Sequence, residues 1–298
     1  AITDPAIDLV VIATPNSTHA PLAREALAAG KHVVVDKPFT LDLAEARELI
    51  VLAKRHDRLL SVFHNRRWDS DYLGVKQLIE SGTLGEVVHF ESHIDRYRPQ
   101  TRARWREQDL PGSGLWFDLG PHLVDQALQL FGLPERIQAN LAAQRDGAQI
   151  NDWAHVVLNY GPRRVILHAS MMVAGGSARF TVHGCKASVV KQLADRQEQQ
   201  LLAHLNPGAP GWGQDEDDLL LYQDGEVRRM PTPAGDQRQY YFAIHQALCA
   251  GAVNPVPPIQ ALAVMAVIEA AEQSAMQGQQ MPLLLTDEEQ LAYQVSRP

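Results

Sequence analysis

The amino-acid sequence predicts an α/β protein: a partial doubly wound parallel sheet of Rossmann type, followed by an α+β domain on a mostly antiparallel sheet. Three observations predict it. Near the start, three short, β-branched apolar runs alternate with two Ala/Leu-rich stretches of helical length. Crossovers of that length imply parallel strands with right-handed connections. Beyond residue 64 the pattern changes to extended segments joined by short turns, which predicts antiparallel pairing. Finally, 298 residues exceed what one compact core usually holds. We therefore divide the chain into residues 1–64 and 65–298.

The elements follow in order. Ile7–Ala13 is nearly continuous apolar sequence and predicts a strand buried on both faces. Thr14-Pro15-Asn16 breaks it. Thr18 then occupies an N-cap position for a helix over His19–Ala29, stopped by Gly30. His32–Val35 is a second buried strand, ended by Asp36-Lys37-Pro38. Asp42 caps a helix from Leu43 to about His56, and Leu59–Phe63 is a third strand. Next come a helix near Asp71–Ser81 and a long alternating strand from Glu86 to about Tyr97. A helix spans about Leu115–Phe131, with Pro121 inside it as a potential kink. Extended segments are expected at Arg136–Arg145, Trp153–Tyr160, Arg163–Met172, Ala178–His183 and Ser188–Gln192. In two of them, Val156-Val157-Leu158 and Val165-Ile166-Leu167 lack alternation, so both sheet faces are expected to be covered. Asn206–Asp218 reads as a surface loop. Helices at about Tyr240–Ala250 and Gln260–Gln277 flank the Pro-rich turn at Pro255–Pro258.

Composition narrows the function. Apolar residues make up 45% and charged residues 21%, enough for a core. A net charge of -8 argues against nucleic acid or an anionic membrane as partner. No apolar run approaches the roughly 20 residues that span a bilayer, and no signal peptide is visible. Two cysteines, Cys185 and Cys249, give no disulfide framework, which fits a reducing, cytoplasmic setting.

Ligands of an open parallel sheet bind beyond the carboxyl ends of its strands. Two polar turns fall there. Thr14–His19 offers an amide, hydroxyls and a free helix N-terminus suited to an anion, although an ordinary capped turn has the same composition. Asp36-Lys37-Pro38 places a lysine at the exit of a buried strand. Lysine there can donate a proton or anchor a ligand, or simply snorkel to solvent. Farther on, Asp118 and His122 stand at i and i+4 and share a helix face, as a catalytic pair or as a plain ion pair would. No HExxH or Cys/His cluster predicts a metal; His89 and His93 share a strand face but are too loose a signal, and we expect no metal. No GxSxG follows a strand, which disfavours a serine hydrolase.

Taken in order, these motifs resemble the Gfo/Idh/MocA family, the glucose–fructose oxidoreductase and inositol dehydrogenase group. Ala13-Thr14-Pro15-Asn16 through His19 is similar to its A-T-P-N-x-x-H turn. Gly30-Lys31-His32-Val33 through Asp36-Lys37-Pro38 is similar to G-K-H-V…E-K-P, with Asp for the usual Glu. His64-Asn65-Arg66-Arg67-Trp68, Trp105-Arg106 and Gly114-x-x-x-Asp118-x-x-x-His122 complete the series. The likeness is strong to about Phe131 and general beyond. It implies an NAD- or NADP-dependent oxidoreductase acting on a sugar, polyol or related hydroxyl or carbonyl compound. It implies a catalytic centre of Lys37, Asp118 and His122. It assigns Thr14, Pro15, Asn16, His19, Asp36, Lys37, Pro38, Trp105 and Arg106 to the cofactor. Arg66, Arg67 and Tyr97 are weaker substrate-pocket candidates. The family pattern also begins with a G-x-G-x-x-G βαβα unit of roughly 50–60 residues, expected ahead of Ala1. Such a loop is expected to be disordered without its dinucleotide, and the residue choosing NAD or NADP would lie in that unit. A dinucleotide-responsive regulator and an NAD-dependent glycosidase of the same fold are the rival readings. A homodimer or higher homo-oligomer is expected, the sheet face not covered by helices meeting a second copy.

Overall fold

The structure is a computed structural model and describes residues 2–297. In chain order it comprises β1 (Leu9–Ile12), α1 (His19–Ala28), β2 (His32–Val35), α2 (Leu43–Arg55), β3 (Leu60–Val62), α3 (Ser70–Glu80), β4 (Val87–Asp95) and α4 (Gly114–Phe131). There follow β5 (Arg136–Ala142), β6 (Trp153–Tyr160), β7 (Arg163–Ser170), β8 (Phe180–Gly184), β9 (Ser188–Lys191) and α5 (Gln197–Leu202). The chain ends with β10 (Leu219–Gln223), β11 (Glu226–Met230), α6 (Arg238–Ala250), α7 (Pro258–Gln277), β12 (Met281–Pro282) and α8 (Asp287–Ser296).

Strands β1, β2 and β3 form a three-stranded parallel sheet in that order. Every valine of β2 is fully buried, as expected for the central strand of a covered parallel sheet. Strand β1 departs from expectation: Val11 is 47% exposed, because β1 is the sheet's edge strand among the described residues. Asp42 caps α2 through the Glu45 amide (2.8 Å). Thr18 sits at the N-cap of α1 without capping it; its hydroxyl donates back to the Pro15 carbonyl instead.

The other nine strands form one sheet in the order β11-β10-β9-β8-β4-β7-β6-β5-β12. Consecutive pairing is antiparallel except at one place. Strands β7 and β8 do not pair, because β4 lies between them, parallel to β7 and antiparallel to β8. The crossover through α4 places β4 there, and β5, β6 and β7 then fold back beside it. Strands β10, β11 and β12 and helices α5 and α8 were not expected from the sequence. Within the chain, helices cover one face of this sheet, and the expected alternation-free strands do alternate. Burial alternates strictly: Val156, Leu158, Val165 and Leu167 are fully buried, while Val157 and Ile166 are half-buried. Helices α4 and α7 pack on the buried face and on each other. Gly120 permits that closeness, since a Cβ there would stand 2.8 Å from the Ile268 side chain. Helix α4 runs unbroken through Pro121. Pro121 cannot donate the backbone hydrogen bond its position would otherwise make.

Helix α7 also packs on α2 and β3, so it joins the two sheets. Tyr240 of α6 donates to Ser61 of β3 (2.8 Å), and Asn254 donates to the Leu60 carbonyl (2.9 Å). The last third of the chain thus closes back over the parallel sheet, and the mouth of that sheet faces α4.

Candidate active site

Three strand exits meet the first turns of α4. Lys37 leaves β2 one residue after Asp36, whose carboxylate accepts from the Lys37 amide (2.8 Å). The Lys37–Pro38 peptide bond is cis. The Lys37 ammonium reaches α4 and donates to the main-chain carbonyl of Asp118 (2.6 Å) and to its Oδ1 (3.2 Å). The two residues are 81 positions apart, and both side chains are mostly buried. Arg106 Nε lies 3.6 Å from the same Asp118 oxygen. Burial alone would raise the Asp118 pKa, but the Lys37 charge and hydrogen bond, with Arg106 and Arg96, hold it below the usual carboxylate range.

His122 follows one turn along α4 and is buried. Its Nδ1 has no hydrogen-bond partner, and no hydrogen bond joins it to Asp118 among the described residues. Asp118 therefore serves Lys37 and does not orient the imidazole. Burial, reinforced by the Lys37 and Arg66 charges, holds His122 well below the ordinary imidazole pKa. His64, at the exit of β3, is in a like state: both ring nitrogens are buried without a partner, and burial pushes its pKa down to about 4.

Lys37, Asp36, Asp118 and His122 open into one cleft of about 350 Å³. Phe63, Asn65 and Arg66 enter it from the exit of β3, and Arg96, Arg104 and Arg106 from the segment between β4 and α4. With Glu198, the lining carries five cationic and three anionic side chains, a balance suited to an anionic or oxygen-rich ligand. Sequence reasoning missed Arg96, Arg104, Asn65, Phe63 and Glu198. A signal existed for the arginines: residues 96–106 hold five of them, at 96, 98, 102, 104 and 106. Glu198 comes from α5 and is linked to Arg66 (3.2 Å), a pairing that no local spacing announces.

The other expected residues separate into groups. Trp105 and Arg106 occupy a single 3-10 turn, the guanidinium 4.5 Å from the indole centroid. Asn16 is buried and donates to the Gly112 carbonyl (2.8 Å), tying the turn after β1 to the loop before α4. His19 is buried too, with its ring nitrogens against the carbonyls of Pro38 (2.8 Å) and Thr14 (3.0 Å). It clasps the two strand-exit turns together and has no ring nitrogen left for a ligand. Thr14 shares a hydroxyl contact with Thr18 (2.6 Å). Arg66 lines the cleft, but Arg67 turns away into a bidentate pair with buried Asp125 (2.9 and 2.6 Å). Tyr97 is 57% exposed and does not line the cleft.

Two domain families match the chain. Residues 1–64 match the oxidoreductase family's NAD-binding Rossmann fold, and residues 76–283 match its C-terminal alpha/beta domain. The uncharacterized oxidoreductase YdgJ of Escherichia coli K12 is 54% identical over 276 residues, 91% of this chain and 80% of that one. The scyllo-inositol 2-dehydrogenase (NADP(+)) IolW of Bacillus subtilis is 37% identical over 278 residues, 91% of this chain and 78% of that one. Among solved structures, a protein from Klebsiella pneumoniae superimposes with a TM-score of 0.93 at 63% identity, covering 99% of this chain and 83% of the other. An oxidoreductase from Bacillus cereus superimposes with a TM-score of 0.88 at 30% identity, covering 96% and 83%. With both domain families matched along most of its length and the strand exits converging on one polar cleft, the chain belongs to the Gfo/Idh/MocA oxidoreductases, with an NAD-binding Rossmann domain.

Proposed function

We propose that the cleft oxidises or reduces a CH–OH group of a sugar or polyol, with NAD or NADP as partner. The observation that carries this reading is the Lys37 ammonium, fixed by Asp118 at the carboxyl edge of the parallel sheet, beside a neutral, buried His122. The scyllo-inositol dehydrogenase relative, named for an NADP(+)-linked reaction, supports a polyol substrate and leaves NADP open.

The residues fit a nicotinamide dinucleotide. The turn Thr14–Asn16, the Asp36-Lys37-Pro38 turn and the Trp105-Arg106 turn would hold it, at the strand ends where such ligands sit. The unpartnered polar atoms of His64, His122 and Arg66 beside the cleft are consistent with a polar occupant. When bound, that group supplies the hydride acceptor or donor.

The chain's own residues supply the rest. The Lys37 ammonium would donate a hydrogen bond to the reacting oxygen, its position set by the two Asp118 contacts. His122, present as the free base at neutral pH, would accept the hydroxyl proton in the oxidation direction. Burial and its cationic surroundings disfavour the imidazolium, so the proton would be released from His122 to solvent through the cleft. Arg66, Arg96, Arg104 and Arg106 would bind substrate oxygens or cofactor phosphates. Exchanging His122 for alanine and following nicotinamide absorbance with a panel of inositols and aldoses tests this reading. No turnover of any CH–OH substrate by the unsubstituted protein with either nucleotide would refute it.

We further infer that the open face of the nine-stranded sheet meets a second copy of the chain. Trp153, Val157 and Ile166 lie side by side there, half-buried and not covered by α4 or α7. A reducing, intracellular setting is in keeping with two free cysteines. None of the described helices is long and apolar enough to cross a membrane.

A further inference from the structure

The same open face carries an unusual row of side chains. His93 of β4 stands directly across from His168 of β7, and His168 across from His155 of β6. Two residues along β4, on the same face, is Asp95. We propose that His93, Asp95 and His168 form a binding site for a first-row divalent metal ion such as zinc.

Four observations carry the proposal. The first is separation. One ligand atom from each of the three residues falls within 4.8 Å of the others. His93 Nδ1 is 3.6 Å from Asp95 Oδ2, and His168 Nε2 is 3.6 Å from Asp95 Oδ1. These distances are too long for hydrogen bonds. Each is close to the ligand–ligand spacing, about 3.3–3.6 Å, around a tetrahedral ion with bonds of about 2.0–2.2 Å. The second is an unmet need. The Asp95 side chain is only 3% exposed, and neither of its oxygens has a hydrogen-bond partner. A buried carboxylate without donors is costly, and a cation between it and two imidazoles would satisfy it. His93 Nδ1 is likewise buried and unpartnered.

The third is the outer shell. His93 directs its other nitrogen, Nε2, at Glu91 Oε2 (3.1 Å). Glu91 is held in turn by His89 through its second oxygen (2.8 Å). A carboxylate on the far nitrogen fixes the tautomer of a metal-binding histidine and raises its basicity. The fourth is support for His168, whose ring packs edge-on against both Trp153 and His155, at 5.5 and 5.7 Å. Sequence spacing singled out His89 and His93. The structure assigns His89 to Glu91 and brings the missing ligand from a strand 75 positions later in register. Three ligands leave a fourth position open for water or another donor. This site stands on the sheet face and does not rest on the oxidoreductase reading.

The test is calorimetric titration of zinc chloride into the untagged, chelator-treated chain without nucleotide, with cobalt(II) absorption as a second reading of nitrogen and oxygen ligation. One equivalent should bind. His168→Gln should weaken binding by at least about 100-fold and Glu91→Gln by about 10–100-fold. His183→Gln, on the same face but bonded to Ser188, should leave it unchanged. Should His168→Gln fail to fold by circular dichroism, His93→Gln decides. No binding by the unsubstituted chain, or undiminished binding after removal of either histidine, would overturn the proposal.

Discussion

In the three-stranded parallel sheet the reactive side chains gather at the strand ends, whereas in the nine-stranded sheet they lie across one open face. The cause is how each sheet is covered. Helices and the returning C-terminal segment enclose the parallel strands, so β2 is fully buried and polar chemistry is pushed to its exit, at Asp36 and Lys37. In the larger sheet α4 and α7 cover a single face, and strict alternation delivers His89, Glu91, His93, Asp95, His155 and His168 to the other. One helix links the two arrangements: α4 closes the core of the large sheet with its apolar residues and presents Asp118 and His122 to the exit of the small one. A site at strand ends is assembled from loops that have few neighbours in sequence. A site on a sheet face is assembled by register alone.

The largest expected effect falls at the strand exit. Lys37→Ala should lower turnover at least as much as loss of a general base, about 10²–10⁴-fold, because it removes the hydrogen bond to the reacting oxygen, and should also weaken nucleotide binding. Steady-state kinetics with nucleotide titration check both. If Lys37 serves only its ion pair with Asp118, activity will stay close to that of the parent.

The two arginines of the Arg66-Arg67 pair sharpen the comparison next. Arg67→Ala leaves the buried Asp125 carboxylate without its bidentate partner and should cost about 3–5 kcal/mol in urea unfolding, with little loss of turnover in the protein that remains folded. Arg66→Ala, in the cleft, should raise KM in addition to the stability it loses by leaving buried Asp69 without its cation. Equal kinetic profiles for the two variants would remove the distinction between them.

On the open face, Ile166→Lys should convert the assembly to a monomer at micromolar concentration, read by light scattering, without changing the circular dichroism spectrum. A parent protein already monomeric would refute the assembly inference. The pH dependence offers a subtler separation. His64 is depressed in the folded state, from an ordinary value of 6.5 to about 4. Its neutral form therefore contributes stability that is fully present above pH 6.5 and is lost as pH falls through about 4. His64→Asn should flatten that part of the stability–pH curve, measured by denaturant midpoints. The smallest effect belongs to a helix end far from either site: Asp42→Ala should cost about 1 kcal/mol through loss of the α2 cap and leave kinetics unchanged.

How much was legible in the sequence follows from the same contrast. The parallel strands and their exits were readable because each is announced locally, by a β-branched run and then a proline or glycine. Lys37, Asp118 and His122 could be named because their motifs are short and ordered, and the cleft does contain all three. The sequence leaves the partner of Asp118 open between His122, by i,i+4 spacing, and Lys37; the fold delivers Lys37 from 81 positions away. His19 looked like a ligand contact by position, yet its ring is consumed by two carbonyls. The insertion of β4 between β7 and β8 is hidden as well, because short turns announce pairing only between strands adjacent in sequence. That insertion is what aligns His93 with His168, so the most unusual feature of the large sheet could not be seen without its register.

The central claim is that the cleft performs proton and hydride chemistry, with His122 acting on the substrate and not as a core residue. The most direct measurement is paired equilibrium binding and single-turnover kinetics on His122→Ala with nicotinamide nucleotide and a CH–OH substrate. The account predicts that nucleotide affinity stays within about threefold of the parent while the turnover rate falls by about 10²–10⁴-fold. A rate indistinguishable from that of the parent, with nucleotide bound equally well, would contradict it.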